Sequence, residues 1–329
     1  MKSCLVIGSN SFSGSNFINF LLDKKIKVFG ISRSNEIDSV FLPYKKNYNI
    51  KNYKFYKINI KKNVKKIIKI IKKNKIQYII NFASQGMVAE SWISPLDWYE
   101  TNTLAQIKLF ESLKKIKFKK YMHVSTPEVY GDSYKKITEG SFHNPSTPYA
   151  ISRSATDLHL IGLSKFFNFP VVFSRAANVY GPGQQLYRIV PKTIMCVKKK
   201  IKINIHGGGS SKRSFIHIDD ATKAYFDILE KGKIGSIYHV SNNNFLTIRN
   251  LVKIIIKTLN KNPKKFINLE KKDRTGKDSA YFLDSKKIIR ELKFKPKINL
   301  ITGIKDTINW VEENFSKLKK YNLEYKHKK

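Results

Sequence analysis

The alternation of short apolar runs with amphipathic helical patterns along the first half of the chain constrains the fold more than any other feature. Apolar runs with the length of strands occupy residues 4–7, 27–31, 55–58, 78–82, 121–125 and 171–174. Between the third and fourth runs, Val64, Ile67, Ile68 and Ile71 follow the i, i+3, i+4, i+7 spacing of an amphipathic helix. Strands that alternate with helices need crossover connections, which make the strands parallel in one sheet.

Later segments extend this pattern. Helices are predicted over residues 95–113 and 149–167, a strand over 237–240, and a helix around Val252, Ile255, Ile256 and Leu259. We therefore predict an α/β fold, a doubly wound parallel sheet with a smaller C-terminal domain. The sheet domain is expected to cover residues 1–176 with a return near 210–243, and the smaller domain 177–209 and 244–329. The charged tail after Lys317 is expected to fray.

A loop of small residues follows the first strand. Gly8, Ser11 and Gly14 occupy the three positions of a G-x-x-G-x-x-G spacing, with serine at the middle one. Small residues there let the backbone approach a pyrophosphate, and the following helix offers free N–H groups and the positive end of its dipole. The place of the loop, between a strand and a helix, favours a dinucleotide site over an ordinary tight turn. Gly8, Ser11, Phe12, Ser13 and Gly14 are therefore candidate cofactor-binding residues.

The tip of the second strand indicates which dinucleotide is bound. NAD-binding folds usually carry an acid about 20 residues after the loop, where it bonds the ribose 2′-hydroxyl. Here Ser32, Arg33 and Ser34 stand at that place, and no acid does. Because an arginine beside hydroxyls can hold a 2′-phosphate, NADP is favoured over NAD. The alternative is that Arg33 is merely exposed.

Tyr149 and Arg153 stand four residues apart, on one face of a predicted helix. A free tyrosine has a pKa near 10 and is a poor base at neutral pH, whereas a fixed neighbouring cation favours the phenolate. Such a tyrosine can take a proton from a sugar hydroxyl while hydride leaves the same carbon.

Together with the motifs below, the loop after the first strand and the Tyr149/Arg153 pair resemble those of the nucleotide-sugar dehydratases and epimerases of the extended short-chain dehydrogenase/reductase group. The matching motifs are N-F-A-S-Q at 81–85, S-T-P-E-V-Y-G at 125–131, R-A-A-N-V-Y-G-P-G at 175–183, R-S-F-I-H-I-D-D at 213–220 and D-R-T-G-K-D at 273–278. The last is similar to dTDP-glucose 4,6-dehydratases, whereas residues 30–33 and 83–85 look more like GDP-mannose 4,6-dehydratase. The resemblance implies a Rossmann fold with a C-terminal substrate-binding domain, NAD(P), a nucleotide-diphosphate sugar substrate, and a homodimer.

The resemblance also implies roles for individual residues. The expected catalytic residues are Ser125, Thr126, Glu128, Tyr149 and Arg153. Beyond the loop and the second strand, the expected cofactor contacts are Asn59, Ile60, Phe82, Ala83, Ser84, Tyr149 and Arg153. The expected substrate contacts are Gln85, Thr126, Asn178, Arg188, Arg213 and Arg274, with Arg213 and Arg274 on the diphosphate. No metal site is expected.

Two residues depart from the family pattern at positions of its catalytic motifs. Arg153 replaces the lysine of Y-x-x-x-K, and Pro127 replaces the aspartate of T-D-E. Pro127 cannot act as an acid, so the usual proton donor to the departing C6 oxygen is missing; GDP-mannose dehydratases, however, have serine there and retain the glutamate. The sequence therefore predicts a 4,6-dehydratase. An epimerase or decarboxylase on the same scaffold, or a non-catalytic NAD(P)-binding protein, stays open.

The formal net charge of +39 would by itself suggest a nucleic-acid partner. Only eight of the 63 basic residues are arginine, however, and the lysines accompany isoleucine and asparagine throughout. Proteins that recognise nucleic-acid phosphates and bases usually rely on arginine. We therefore interpret the lysines as a compositional bias and predict no nucleic-acid partner. In such a chain each arginine indicates a place where a planar guanidinium is needed.

Two cysteines, Cys4 and Cys196, give no disulfide framework, which favours a reducing cytoplasm. No apolar run is long enough to cross a bilayer, and the first is too short for a signal peptide, so no membrane association is expected.

Overall fold

The computed structural model describes residues 1–242, 244–273, 275–276 and 278–327. Its strands are β1 (Ser3–Ile7), β2 (Lys27–Ser32), β3 (Tyr53–Lys57), β4 (Tyr78–Asn81), β5 (Lys120–Ser125), β6 (Lys136–Ile137), β7 (Val171–Ala176), β8 (Asn178–Tyr180), β9 (Ile203–Ile205), β10 (Lys212–His217), β11 (Ile237–Val240), β12 (Phe245–Thr247), β13 (Ile267–Leu269) and β14 (Phe282–Leu283). Its α-helices are α1 (Phe12–Asp23), α2 (Val64–Lys73), α3 (Pro95–Tyr99), α4 (Ala105–Leu113), α5 (Pro148–Phe167), α6 (Ile189–Lys198), α7 (Ile218–Lys231), α8 (Ile248–Thr258), α9 (Pro263–Phe266), α10 (Lys286–Leu292), α11 (Leu300–Glu313) and α12 (Phe315–Leu318).

The main sheet has seven strands in the order β11-β7-β5-β4-β1-β2-β3, and its neighbouring strands pair in parallel. This confirms the predicted doubly wound α/β sheet. The register sets Ile7 beside both Ile31 and Asn81, so the carboxyl ends of β1, β2 and β4 meet at one edge. The strand order reverses between β1 and β4, and ligands of such sheets bind in the crevice at that point.

The alternation of side chains along β1 explains why both faces of the sheet are covered. Cys4 and Val6 point into a core that α1, α7 and α10 complete, whereas Leu5 and Ile7 point into a core formed with α2, α4 and α5. All four side chains are at most 1% exposed. Strands buried on both faces are continuously apolar, which is why the strand runs were visible in the sequence.

A third core lies outside the main sheet. Helices α6, α8 and α11 form it with side chains such as Ile194, Ile255 and Ile308. Phe41, which follows β2, and Phe215 of β10 also belong to this core. The two parts of the molecule therefore pack on each other, and the domain boundaries named above stay a prediction.

Three sequence expectations need correction. The third strand is Tyr53–Lys57, and Ile58 lies past its end as a buried core residue. The helix expected over residues 95–113 is interrupted by a π-helical turn, Glu100–Leu104. The tail does not fray where it is described, because Leu318 is fully buried and Leu323 is 8% exposed. Among the described residues, no helix combines the length and the apolar character needed to cross a bilayer.

Candidate active site

The loop after β1 is held in a shape that only small residues allow. Gly8 has a φ of +85°, and a Cβ there would lie 2.7 Å from the Ala83 nitrogen. Ser11, at the expected middle glycine, is the N-cap of α1: its hydroxyl donates to the Gly8 carbonyl at 2.7 Å and accepts from the Gly14 N–H at 3.1 Å. The serine thus fixes the turn that a glycine would only permit.

The start of α1 suits a phosphate group. Of the N–H groups in its first turn, Gly14 donates to the Ser11 hydroxyl and Ser15 to the Ser11 carbonyl. Those of Phe12 and Ser13 have no intrahelical acceptor, and the positive end of the helix dipole lies at the same place. These residues fit the pyrophosphate of a dinucleotide.

The tip of β2 lies next to this loop. Asn10 donates from its side-chain amide to the carbonyl of Asn35 at 2.8 Å and to the carbonyl of Ser34 at 3.3 Å. Arg33, at this tip, is exposed, and Ser32 is half-buried. The expected 2′-phosphate contacts therefore lie beside the expected pyrophosphate loop.

The remaining expected cofactor contacts line the ends of β3 and β4. Asn59 accepts from the Lys61 N–H at 2.9 Å and so closes the turn after β3, while Ile60 is buried. The Phe82 ring packs in the core, with its centroid 5.9 Å from that of Phe17, so only the backbone of Phe82 borders the loop. Ala83 is half-buried and Ser84 exposed.

The π-helical turn places Asn102 where it fixes Gln85. The fully buried Asn102 amide accepts from the Gln85 N–H at 2.7 Å and donates to the Gln85 carbonyl at 3.0 Å. It also donates to the Ser152 hydroxyl on α5 at 3.1 Å. A π-turn often marks a functional position, and this one joins the loop after β4 to the helix that carries Tyr149.

Three expected catalytic side chains form one group at the carboxyl end of β5. The Thr126 hydroxyl donates to the Glu128 carboxylate. Both side chains also act on the pKa of the Tyr149 phenol, which places the three residues close together. Thr126 is extended and precedes a single 3-10 turn, Pro127–Tyr130, which brings Glu128 back beside it. Pro127 stands at the first position of that turn, where its missing N–H costs no hydrogen bond.

Opposing effects act on the Tyr149 phenol. Burial raises the pKa of Tyr149, and the Glu128 carboxylate raises it further. Arg153, the Thr126 hydroxyl and Arg188 act in the opposite direction. Arg153 therefore has the expected effect on the tyrosine, although the pKa of Tyr149 stands above its ordinary value.

Arg153 is turned into the protein. It is 2% exposed, its Nη2 lies 3.2 Å from His123 Nε2, and it donates to the Val124 carbonyl. Burial first, and then Arg153, lowers the pKa of His123 to about 3, so this imidazole is neutral. Because guanidinium only donates, His123 Nε2 must accept and its proton lies on Nδ1. The expected contact of Arg153 with a nicotinamide ribose stays a prediction.

A buried ion pair lies behind this group. Asp157 on α5 and Arg175 on β7 are both fully buried, and Arg175 Nη2 lies 2.7 Å from Asp157 Oδ2. The Ser125 hydroxyl donates to the Asp157 carboxylate at 2.6 Å, so Ser125 supports this ion pair. Burial alone would raise the pKa of Asp157, but the charges of Arg175 and Arg153 hold it below the ordinary value. The pair fixes α5, and with it Tyr149, against the end of the sheet.

The expected substrate contacts border the group from the other side. Arg213 is 8% exposed, donates to the Asp278 carbonyl at 2.6 Å and lies 4.2 Å from the centre of the Tyr281 ring. Tyr281 donates to the Asn178 side chain at 2.8 Å. Arg213 therefore fixes the segment around residue 278, and its contact with a diphosphate stays a prediction. Arg274 lies outside the described residues.

Arg188 and Gln85 lie on neighbouring segments. Arg188 is exposed at the start of α6, and its guanidinium lies 5.4 Å from the centre of the Tyr187 ring. Its Nη2 is 3.7 Å from the position that a Cβ on Gly86 would occupy. Gln85 is 6% exposed.

Sequence reasoning missed the residues that support the site. These are His123, Asp157 and Arg175 behind the catalytic group and Asn102 in the π-turn. A signal existed for Arg175, because each arginine in a lysine-rich chain was expected to be informative, and Arg153, Arg175 and Arg213 are all buried. The local sequence held no comparable signal for Asn102, whose partners lie 17 and 50 residues away.

The chain is similar to known proteins along most of its length. Residues 5–307 match the family model of GDP-mannose 4,6 dehydratase. The chain is 32% identical to the human dTDP-D-glucose 4,6-dehydratase over 277 residues, which cover 81% of this chain and 77% of the human protein.

Solved structures show the same fold. A dTDP-glucose 4,6-dehydratase from Bacillus anthracis in complex with NAD aligns with a TM-score of 0.88 and 28% identity, over 97% of this chain and 99% of that one. A dTDP-glucose 4,6-dehydratase from Streptomyces venezuelae with NAD bound aligns with a TM-score of 0.88 and 26% identity, over 95% of this chain and 98% of that one.

Proposed function

This chain belongs to the GDP-mannose 4,6-dehydratase family, and on that premise we propose that it is an NAD(P)-dependent nucleotide-sugar 4,6-dehydratase, a lyase. The reaction has three stages: oxidation of the sugar at C4, loss of water across C5 and C6, and return of hydride to C6. The grouping of Thr126, Glu128 and Tyr149 supports this proposal best, because the Thr126 hydroxyl donates to the Glu128 carboxylate and both side chains act on the pKa of the Tyr149 phenol.

Tyr149 is the proposed base for the 4-hydroxyl. Bound NAD(P) would supply the hydride acceptor, and the loop after β1, the tip of β2 and the ends of β3 and β4 would hold it. Arg153 and Arg188 favour the phenolate, and Thr126 is placed to bond the C4 oxygen as its proton leaves. General base catalysis of this kind contributes roughly 10²- to 10⁴-fold to a rate.

Glu128 is the proposed base for the second stage. Oxidation at C4 acidifies the C5 proton, and the Glu128 carboxylate removes it. The protonated Glu128 then passes this proton to the C6 oxygen, which departs as water. The hydrogen bond from Thr126 holds this carboxylate beside the C4 oxygen. The same carboxylate raises the pKa of Tyr149, so the two bases influence each other.

The identity of the reaction is tested on a panel of dTDP-, UDP- and GDP-sugars, each incubated with NAD or NADP and analysed by mass spectrometry. We expect one substrate to lose one water, without net consumption of cofactor. Loss of carbon dioxide, or isomerisation without a change of mass, would contradict dehydration and favour the decarboxylase or the epimerase.

We propose that NADP is preferred over NAD. Arg33 and Ser32 at the tip of β2 support this, because a guanidinium beside a hydroxyl suits a 2′-phosphate. Calorimetry should show tighter binding of NADP by the wild type, and Arg33→Ala should remove the difference. Arg290→Ala, an exposed arginine on α10, is the control. A wild type that binds NAD more tightly would refute the proposal.

A homodimer is proposed from an apolar stripe on α5. Ile151, Ala155 and Leu158 follow helical spacing and are all exposed, while Leu96 and Leu104 on the adjoining helices are 75% and 55% exposed. A contiguous exposed apolar surface on two neighbouring helices is typical of an interface. A second copy of this chain is the proposed partner.

Leu158→Glu should convert the dimer to a monomer, because it would bury a carboxylate at the centre of this interface. Tyr48→Glu, at a fully exposed position after β2, should leave the dimer intact. Light scattering of the purified protein measures both. A monomeric wild type would rule out the interface.

We also place the enzyme in the cytoplasm. The buried free thiols of Cys4 and Cys196 support a reducing compartment.

A further inference from the structure

Residues 321–327, here named the distal segment, lie across the edge of the molecule that holds the candidate site. The segment begins near the tip of β2, where the Tyr321 hydroxyl donates to Asp38 at 3.0 Å and the Tyr321 ring packs on Phe41 at 5.2 Å. Leu323 is buried in the third core, and Glu324 pairs with Lys192 on α6 at 2.6 Å. The segment is thus fixed to both parts of the molecule before it reaches the loop after β4.

Its last described residues fix the Gln85 side chain. The Gln85 amide nitrogen donates to the Tyr325 hydroxyl at 3.0 Å and lies 3.0 Å from His327 Nδ1. His327 Nε2 lies 2.7 Å from the Asp97 carboxylate, and its ring stacks on Trp98 at 4.9 Å. An imidazole that donates to Asp97 through Nε2 can accept from Gln85 through Nδ1, so the two contacts are mutually consistent.

This arrangement determines which atom of Gln85 remains for a ligand. Asn102 holds the Gln85 backbone, and both hydrogens of the side-chain amide nitrogen are directed to the distal segment. The carbonyl oxygen of the amide is then the atom that can accept from a hydroxyl or an N–H of a ligand.

Tyr325 also contacts Tyr187, the residue before Arg188, which is the second expected substrate residue of this edge. Its ring packs edge-on against Tyr187 at 5.2 Å, and the Arg188 guanidinium lies 5.4 Å from the centre of that same Tyr187 ring. Burial raises the pKa of Tyr325, as do the charges of Tyr187 and Glu90, whereas Arg33 and the bond from Gln85 act in the opposite direction. The phenol therefore lies within electrostatic reach of Arg33 as well.

We propose that the distal segment forms one wall of the nucleotide-sugar site, with Tyr325 and His327 as positioning residues for Gln85 and, through Tyr187, for Arg188. The proposal rests on the proposed function, because Gln85 and Arg188 are its substrate contacts. The ligand class is a nucleoside diphosphate or its sugar ester. In the absence of the segment, Gln85 would lose both partners of its amide nitrogen, and its carbonyl would no longer be held in one direction.

The test uses the full chain with Tyr325→Phe and His327→Phe combined. Both changes keep a ring in place, against Tyr187 and Trp98, and remove the polar atoms that meet Gln85. Lys326→Ala, at the exposed position between them, is the matched control. Calorimetry measures the binding of dTDP, UDP and GDP to each protein, with a thermal melt as the check on folding. A chain ending at Lys320 serves as a second variant.

We expect the double variant to bind the preferred nucleoside diphosphate or its sugar about tenfold more weakly, which corresponds to the loss of two ordinary hydrogen bonds. The KM for the sugar substrate should rise by the same factor, while kcat changes less than twofold, and the control should match the wild type. A purely structural role would instead lower the melting temperature and kcat together. Equal or tighter binding by a folded double variant would overturn the proposal. Failure of the wild type to bind any of the three nucleotides would instead contradict the proposed function.

Discussion

Replacing Tyr149 with Phe should lower kcat by about 10³-fold, within the range that positioned bases contribute. The substitution removes one oxygen atom and leaves the ring, so the packing of the α5 N-terminus is retained. Because the phenol is the proposed base for the 4-hydroxyl, hydride should not leave C4. We therefore expect no reduced nicotinamide on mixing with substrate, whereas titration should show that the variant still binds the cofactor.

Tyr134→Phe is the control for this experiment, since Tyr134 is 72% exposed. A Tyr149→Phe enzyme that still reduces its cofactor at the wild-type rate would contradict the assigned role. It would assign removal of the proton from the 4-hydroxyl to another residue.

The pH profile provides a second measure of the same residue. The phenolate is the active form, so the rate should rise with pH as Tyr149 ionises. Arg153 lowers the pKa of Tyr149, so Arg153→Ala should move this limb to higher pH and slow turnover. Arg153→Lys, which retains the charge, should restore most of the profile. A profile that Arg153→Ala leaves unchanged would show that Arg153 does not tune Tyr149.

Replacing Glu128 with Gln should stop the reaction at a different point. The C5 proton then has no base, so the overall rate should fall by about 10²- to 10⁴-fold. Oxidation at C4 should persist, because Glu128 raises the pKa of Tyr149 and its neutral replacement removes that effect. We therefore expect reduced nicotinamide to accumulate in a rapid-mixing experiment, in amounts close to that of the enzyme.

Exchange of the C5 proton with deuterated water gives the complementary measurement. The Glu128→Gln enzyme should not exchange this proton, whereas the wild type and Glu111→Gln, an exposed position on α4, should. Normal exchange by the Glu128→Gln enzyme would assign the C5 base to another residue.

The fold was predictable from sequence because its signals are local. Apart from the edge strand β3, the strands of the main sheet are buried along at least half of their length, so their apolar runs stand out between helical patterns. The third strand shows the limit of this reasoning: Ile58 is apolar because it is a core residue past the strand end, and apolarity alone does not separate the two cases.

The grouping of the proposed catalytic side chains was predictable for a different reason. Thr126, Glu128 and Tyr149 lie in motifs whose chemistry is specific. The residues that orient these side chains were not predictable, because their contacts join segments that are distant in the sequence. Ser125 bonds Asp157 32 residues away, and Gln85 bonds His327 242 residues away. The tail containing His327 is charged and polar, which predicted fraying, and only the fold brings it beside Trp98 and Asp97.

The most direct test of the central claim is the fate of the hydrogen at C4. The nucleotide sugar that the panel identifies is prepared with deuterium at C4 and converted by the wild-type enzyme in ordinary water. The account predicts a 4-keto product that has lost one water and carries the deuterium at C6, because the hydride removed in the first stage returns in the last. A product with deuterium retained at C4, or released to solvent, would contradict it.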